Sequence, residues 1–236
     1  MTTLTQRLTL LHERMQTACT ASNRKLDGVQ LIGVSKFQPA ESVADAHELG
    51  LTDFGENYLQ EAAEKIRCLE SKHLTWHFIG SIQSNKTKVI AESFDWVHTV
   101  DRIKIARRLS SQCPQGKVLN ILLQVNIDHD ANKGGASPEE CIDLVKQMSN
   151  LPNLRLRGLM VILSQETDPR VGYETVAQLH AELKSALNPE FAAAWDTLSM
   201  GMTGDLEHAI AAGATMIRVG TALFGPREKI TLSVFF

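Results

Sequence analysis

The chain has 236 residues, 43% of them hydrophobic, which is enough to bury a full core, and α/β barrels of this size commonly form one domain. A net charge of -3 and a pI near 6.2 give no field that would gather nucleic acid or an anionic membrane, so a small molecule is the expected partner. Cys19, Cys68, Cys113 and Cys141 stand far apart, with neither a CxxC pair nor zinc-type histidine spacing, and read as reduced thiols of a cytoplasmic protein without a metal site.

At the N-terminus, Leu4, Leu8, Leu11 and Met15 fall at helical spacing with Arg7, Glu13 and Arg14 between them. The pattern predicts an amphipathic helix within residues 1–25 covering a core, and lacks the continuous apolar stretch of a signal peptide or membrane span. From there strands and helices alternate. Strands are expected at 29–36, 53–57, 75–80, 96–100, 118–126, 154–162, 197–201 and 216–220. Helical patterns occupy 39–50, 59–72, 83–92, 101–113, 138–151, 169–187 and 205–213, several opening on Pro or Asp. Repeated βα units with short connections require parallel strands, and eight of them predict an α/β protein with a single TIM-type (β/α)8 barrel, its core over 29–227. Only a short turn follows the last strand before Pro226, so the N-terminal helix is expected to fill that place in the outer ring. Residues 228–236 form an apolar, β-prone tail that either packs on the barrel or mediates self-association, leaving monomer and weak homodimer open.

In such a barrel chemistry collects at the C-terminal ends of the strands, and phosphate commonly binds at the loops after strands seven and eight. Lys36 ends the apolar run Leu31-Ile32-Gly33-Val34-Ser35, just before a helix start at Pro39. An amine there is placed for chemistry on a carbonyl, although a lysine snorkelling from a strand end explains that segment alone. After strand seven comes Ser199-Met200-Gly201-Met202-Thr203-Gly204-Asp205, and after strand eight Gly220-Thr221-Ala222-Leu223-Phe224-Gly225. Their glycines, hydroxyls and helix starts suit a phosphate cradle, with ordinary βα turns and helix capping by Thr203 or Asp205 as the alternative. Together the patches suit a phosphorylated carbonyl compound held as a Schiff base. Arg218 alternates with Ile217 and Val219, so it shares the inner face with Met216 and needs a polar partner there. A pyridine nitrogen is one such acceptor; an ion pair with Asp53 or Glu56 is the other. His98 is expected in packing or a hydrogen bond, and Asp128-His129-Asp130 in a turn.

Gly33-Val34-Ser35-Lys36, Phe54-Gly55-Glu56-Asn57-Tyr58, Trp76-His77-Phe78-Ile79-Gly80 and Gln83-Ser84-Asn85-Lys86 resemble segments of the pyridoxal phosphate homeostasis protein family. So do Arg157-Gly158-Leu159-Met160, Leu198-Ser199-Met200-Gly201-Met202 and Ile217-Arg218-Val219-Gly220-Thr221, in order and at matching spacing from about residue 29 to Arg227. The family is a single-domain relative of the alanine racemase N-terminal barrel. The resemblance implies pyridoxal 5'-phosphate as cofactor, bound as a Schiff base on Lys36. It places Ser199, Gly201, Gly220 and Thr221 around the phosphate, with Thr203 standing where serine is usual. Arg218 falls at the pyridine nitrogen, and Asn57 and His77 fall beside the cofactor. It further implies a role in intracellular pyridoxal phosphate homeostasis without robust catalysis, with apo-enzymes as recipients.

Some positions depart from the family. Gln38 stands where a second lysine is usual, and Leu163-Ser164 where relatives often have a proline. An arginine does not give its proton to a pyridine nitrogen, so a cofactor held by Arg218 would be a poor carbanion sink. The racemase relatives take a catalytic tyrosine from a second domain. Of Tyr58 and Tyr173 here, the second is expected in a helix remote from the barrel mouth, which leaves Tyr58. A weak pyridoxal phosphate-dependent racemase and a Schiff-base sugar-phosphate aldolase are the enzyme alternatives.

Overall fold

The computed structural model describes residues 2–130 and 133–226; Arg227 and the tail at 228–236 lie outside the described residues. Eight parallel strands close a barrel in chain order: β1 (Gln30–Val34), β2 (Asp53–Glu56), β3 (Thr75–Phe78), β4 (Trp96–Val100), β5 (Leu119–Val125), β6 (Leu154–Val161), β7 (Thr197–Ser199) and β8 (Met216–Val219). Closure pairs β1 with β8, placing Gln30 opposite Met216 and Gly33 opposite Val219. The helices α1 (Leu4–Ala21), α2 (Ala40–Glu48), α3 (Leu59–Cys68), α4 (Thr87–Ser93), α5 (Ile103–Gln112), α6 (Pro138–Ser149), α7 (Pro169–Ser185), α8 (Pro189–Ala194), α9 (Leu206–Ala211) and α10 (Thr221–Phe224) complete the chain. None is long and apolar enough to cross a membrane among the described residues.

Strand alternation sorts side chains into two cores. Ile217 and Val219 join the main cluster between sheet and helices, while Met216 joins Ile32, Trp96, Leu122 and Met160 in a smaller cluster inside the barrel. Beside that inner apolar cluster are buried polar groups from five strands, among them His77, His98, Ser199 and Arg218, with His77 stacked on Trp96.

Helix α1 opens with a capping box in which the Thr3 side chain accepts from Gln6 N–H and the Gln6 side chain accepts from Thr3 N–H. Its buried face, Leu8, Leu11, Met15, Ala18 and Cys19, packs on α9 and α10 and so fills the gap after β8, as the spacing predicts. Arginines on this helix reach further. Arg7 donates to the Leu223 and Phe224 carbonyls, and Arg14 pairs with Glu207 while donating to the Thr203 carbonyl. The N-terminal helix thereby fixes both loops at the seven–eight edge of the mouth.

Several elements differ from expectation. Strand β7 stops at Ser199 because Gly201 takes φ +94°, and a Cβ there would stand 2.5 Å from the Ala209 methyl. Helix α8 was not foreseen, although Asn188-Pro189 carries the N-cap-then-proline signature of a helix start.

Candidate functional site

Lys36 lies two residues beyond β1, in a turn closed by the Gln38 N–H donating to the Ser35 carbonyl at 2.9 Å. Phe37, next to it, has φ +62°, a left-handed conformation that costs a non-glycine residue about 1–2 kcal/mol. The turn opens onto a cavity of about 340 Å³ at the C-terminal mouth of the barrel. Lys36, Gln38, Asn57, Thr203, Gly204, Arg218, Gly220 and Thr221 supply its polar lining, and Val34, Ile79, Met160, Ile162 and Met202 its apolar walls. Six of the sequence-predicted site residues therefore meet in one place: Lys36, Asn57, Thr203, Arg218, Gly220 and Thr221. His77, Ser199 and Gly201 are not part of that lining. Gln38 and the apolar walls were not foreseen, since their direction depends on how the strand ends turn.

The wall contains features suited to a bound ligand. Asn57 donates weakly to the Ile79 carbonyl at 3.5 Å, but its Oδ1 is buried without a partner. At Gly220 a Cβ would press on the Val34 carbonyl oxygen at 3.3 Å, so the backbone there is bare and close-packed. Helix α10 starts at the next residue, and its opening N–H groups have no partner within the helix. Asp205 stands at the N-cap of α9, but its side chain makes no capping bond. Its carboxylate instead accepts from the Met202 N–H at 2.6 Å and from the Tyr173 hydroxyl at 2.8 Å, which shapes the loop carrying Thr203. The expectation that Tyr173 is remote is thus corrected: it is buried and braces this loop, with its phenol pushed up by burial and then by Asp205.

Beneath the cavity runs a continuous chain of buried hydrogen bonds. Arg218 donates to the Val161 carbonyl at 2.8 Å and to Ser199 Oγ at 2.7 Å. Ser199 Oγ lies 2.9 Å from His98 Nδ1, His98 Nε2 lies 2.9 Å from His77 Nδ1, and His77 Nε2 lies 2.9 Å from Asp53 Oδ1. Arginine can only donate, so the Ser199 hydroxyl accepts from it, and a carboxylate can only accept, so His77 Nε2–H donates to Asp53. Burial, then His77 and Arg218, hold His98 well below its ordinary value. Burial opposes the Asp53 charge, yet the bond from His77 keeps its carboxyl below the usual range. Burial also pulls the Arg218 guanidinium down to about 10, which leaves it cationic at neutral pH. A direct ion pair of Arg218 with Asp53 or Glu56 is therefore replaced by this relay, and Glu56 pairs with Lys65 instead.

The relay makes stability depend on pH. A histidine whose folded value is depressed stays neutral while the unfolded chain takes up a proton, so stability is highest above about pH 6.5 and falls below it. One such proton costs about 1.4 kcal/mol per pH unit within that window. Urea unfolding at pH 7.5 and 5.5 is expected to show this loss in the wild type and a smaller one in His98→Asn; equal losses would contradict the assignment.

Elsewhere the loops serve structure. Asp128 accepts from the Ser164 N–H and the Thr167 hydroxyl, tying the β5–α6 loop to the β6–α7 loop. No cluster of metal-ligating side chains occurs among the described residues.

Comparison with known proteins identifies the family. The family described as alanine racemase, N-terminal domain, matches residues 11–228. A pyridoxal phosphate homeostasis protein of Pseudomonas aeruginosa is 49% identical over 229 residues, covering 97% of each chain. One from Haemophilus influenzae is 46% identical over 231 residues, covering 95% of this chain and 96% of that one. Among solved structures, PipY of Synechococcus elongatus with PLP bound superposes with a TM-score of 0.80 at 35% identity, over 94% of this chain and 100% of that one. With its closed barrel and a lysine-bearing mouth, the chain belongs to the alanine racemase N-terminal domain family and, within it, to the pyridoxal phosphate homeostasis proteins.

Proposed function

We propose that the cavity binds pyridoxal 5'-phosphate as a Schiff base on Lys36, and that the protein serves intracellular pyridoxal phosphate homeostasis by holding the cofactor without robust catalysis. The observation that carries this reading is the convergence of three chemically different groups on one cavity: the Lys36 amine, the buried Arg218 cation and the Thr203–Gly204 and Gly220–Thr221 loops. They match an aldehyde, a pyridine nitrogen and a phosphate. The orphan acceptor on Asn57 suits a ring hydroxyl, and the PLP-bound PipY supports the same ligand. Bound here, the cofactor would supply an aldehyde that the Lys36 amine would hold as an imine, with water as the other product.

The residues around the mouth favour storage over turnover. Arg218 is held as a donor by Ser199 and Val161, so it offers the ring nitrogen a hydrogen bond and no proton. Neither tyrosine lines the cavity: Tyr58 is 48% exposed and packs on Phe37 at a ring distance of 4.9 Å, while Tyr173 is committed to Asp205. A cytoplasmic setting, with apo-enzymes as recipients, fits such a carrier.

Titration with pyridoxal phosphate tests the reading. A visible imine band is expected in the wild type and none in Lys36→Ala, with the barrel folded in both. A chiral assay with alanine and other amino acids tests the carrier role: interconversion at about one per second or faster would overturn it in favour of a racemase.

A further inference from the structure

A buried lysine that takes no part in the cavity stands behind the Lys36 turn. Lys65, on the inner face of α3, is only 4% exposed. Its Nζ donates to the Ser35 carbonyl at 2.6 Å, to Glu56 Oε1 at 2.7 Å and to Glu61 Oε1 at 2.6 Å, which uses all three N–H bonds of the ammonium. Each carboxylate then reaches the turn itself. Glu56, fully buried on β2, accepts from the Ser35 hydroxyl at 2.6 Å, and Glu61 accepts from the Phe37 N–H at 2.6 Å. Ser35 and Phe37 are the two neighbours of Lys36. The cluster therefore grips the backbone on both sides of the amine-bearing residue.

An ion pair meant only to stabilise the barrel would not need this arrangement. Buried pairs contribute little net stability compared with apolar residues of similar volume, and Glu56 Oε2 is left buried without a partner. A strained turn does need directional bonds. Phe37 is an aromatic residue at φ +62°, a conformation that persists only when its surroundings over-determine it. The bonds that do so come from Glu61 and Lys65, one helical turn apart on α3.

We propose that Lys65 is a positioning residue: with Glu56 and Glu61 it locks the Ser35–Phe37 turn so that the Lys36 amine is presented to the cavity. The proposal rests on the reading of that cavity as a pyridoxal phosphate site. Two variants separate positioning from folding. Lys65→Met keeps the apolar stem and removes the three bonds, while Glu61→Ala, at a partly exposed position, removes the acceptor of the Phe37 N–H without opening the core.

In cofactor-free protein, hydrogen exchange at the Phe37 amide is expected to rise at least tenfold in Glu61→Ala. On adding pyridoxal phosphate, the imine band should appear at least tenfold more slowly in both variants than in the wild type. Affinity for pyridoxine 5'-phosphate, which has the ring and phosphate but no aldehyde, should stay within about twofold. Should Lys65→Met fail to fold, Glu61→Ala decides alone. Wild-type exchange and wild-type band formation in folded variants, or a parallel loss of pyridoxine phosphate affinity, would overturn the clamp. Absence of any band in the wild type would instead overturn the cofactor reading, and with it the purpose assigned to Lys65.

Discussion

Removing the hydroxyls of Thr203 and Thr221 together is expected to weaken binding of pyridoxal phosphate by about a hundredfold or more, while binding of unphosphorylated pyridoxal stays nearly unchanged. Both residues line the cavity on the loops after β7 and β8, and a phosphate there would take charge-assisted bonds from them. Each such bond is worth about 1.5–3 kcal/mol, or roughly ten- to a hundredfold in affinity. Titration of the double variant with the two aldehydes reads the difference directly. Ser199→Ala is the informative contrast, because its hydroxyl is committed to Arg218 and His98. Its loss should affect both aldehydes alike. Equal losses for both in the threonine double variant would mean that these loops only support the mouth.

The second large effect concerns the relay below. Asp53→Ala is expected to destabilise the fold by about 3–5 kcal/mol, since it leaves the His77 N–H without its acceptor and the Arg218 cation without its distant counter-charge. For a chain of this length that corresponds to a melting temperature lower by roughly 6–20 °C. His98→Leu should cost a similar amount, and the double variant less than the sum, because the residues belong to one network. Thermal unfolding of the three variants decides. Losses below about 1 kcal/mol, or strictly additive ones, would show that the chain of contacts carries no coupling.

Periodicity made much of the barrel legible. In β8 the outward pair Ile217 and Val219 and the inward pair Met216 and Arg218 follow from strand alternation alone, and the α1 stripe follows from helical spacing. Lys36 was visible because a lysine at the end of an apolar run is unusual. What stayed hidden depends on contacts distant in sequence. Strand β1 ends two residues early because Glu61 and Lys65 hold a turn there, and nothing in Ala62-Ala63-Glu64-Lys65-Ile66 marks that lysine as different from a surface one. The height of Ser199 within the barrel decides whether its hydroxyl meets a ligand or Arg218, and height is set by register between strands. Tyr173 sits on an outer-ring helix, yet it braces the loop that carries Thr203, because that loop folds back to meet it.

The central claim is that Lys36 is the covalent anchor, and reductive trapping tests it most directly. Protein loaded with pyridoxal phosphate, reduced with borohydride and digested, is expected to carry the pyridoxyl group on the peptide containing Lys36, with Lys36→Ala unlabelled. A label found mainly on Lys86 or on Lys133, whose amine lies 3.4 Å from the Ile162 carbonyl near the same mouth, would contradict it.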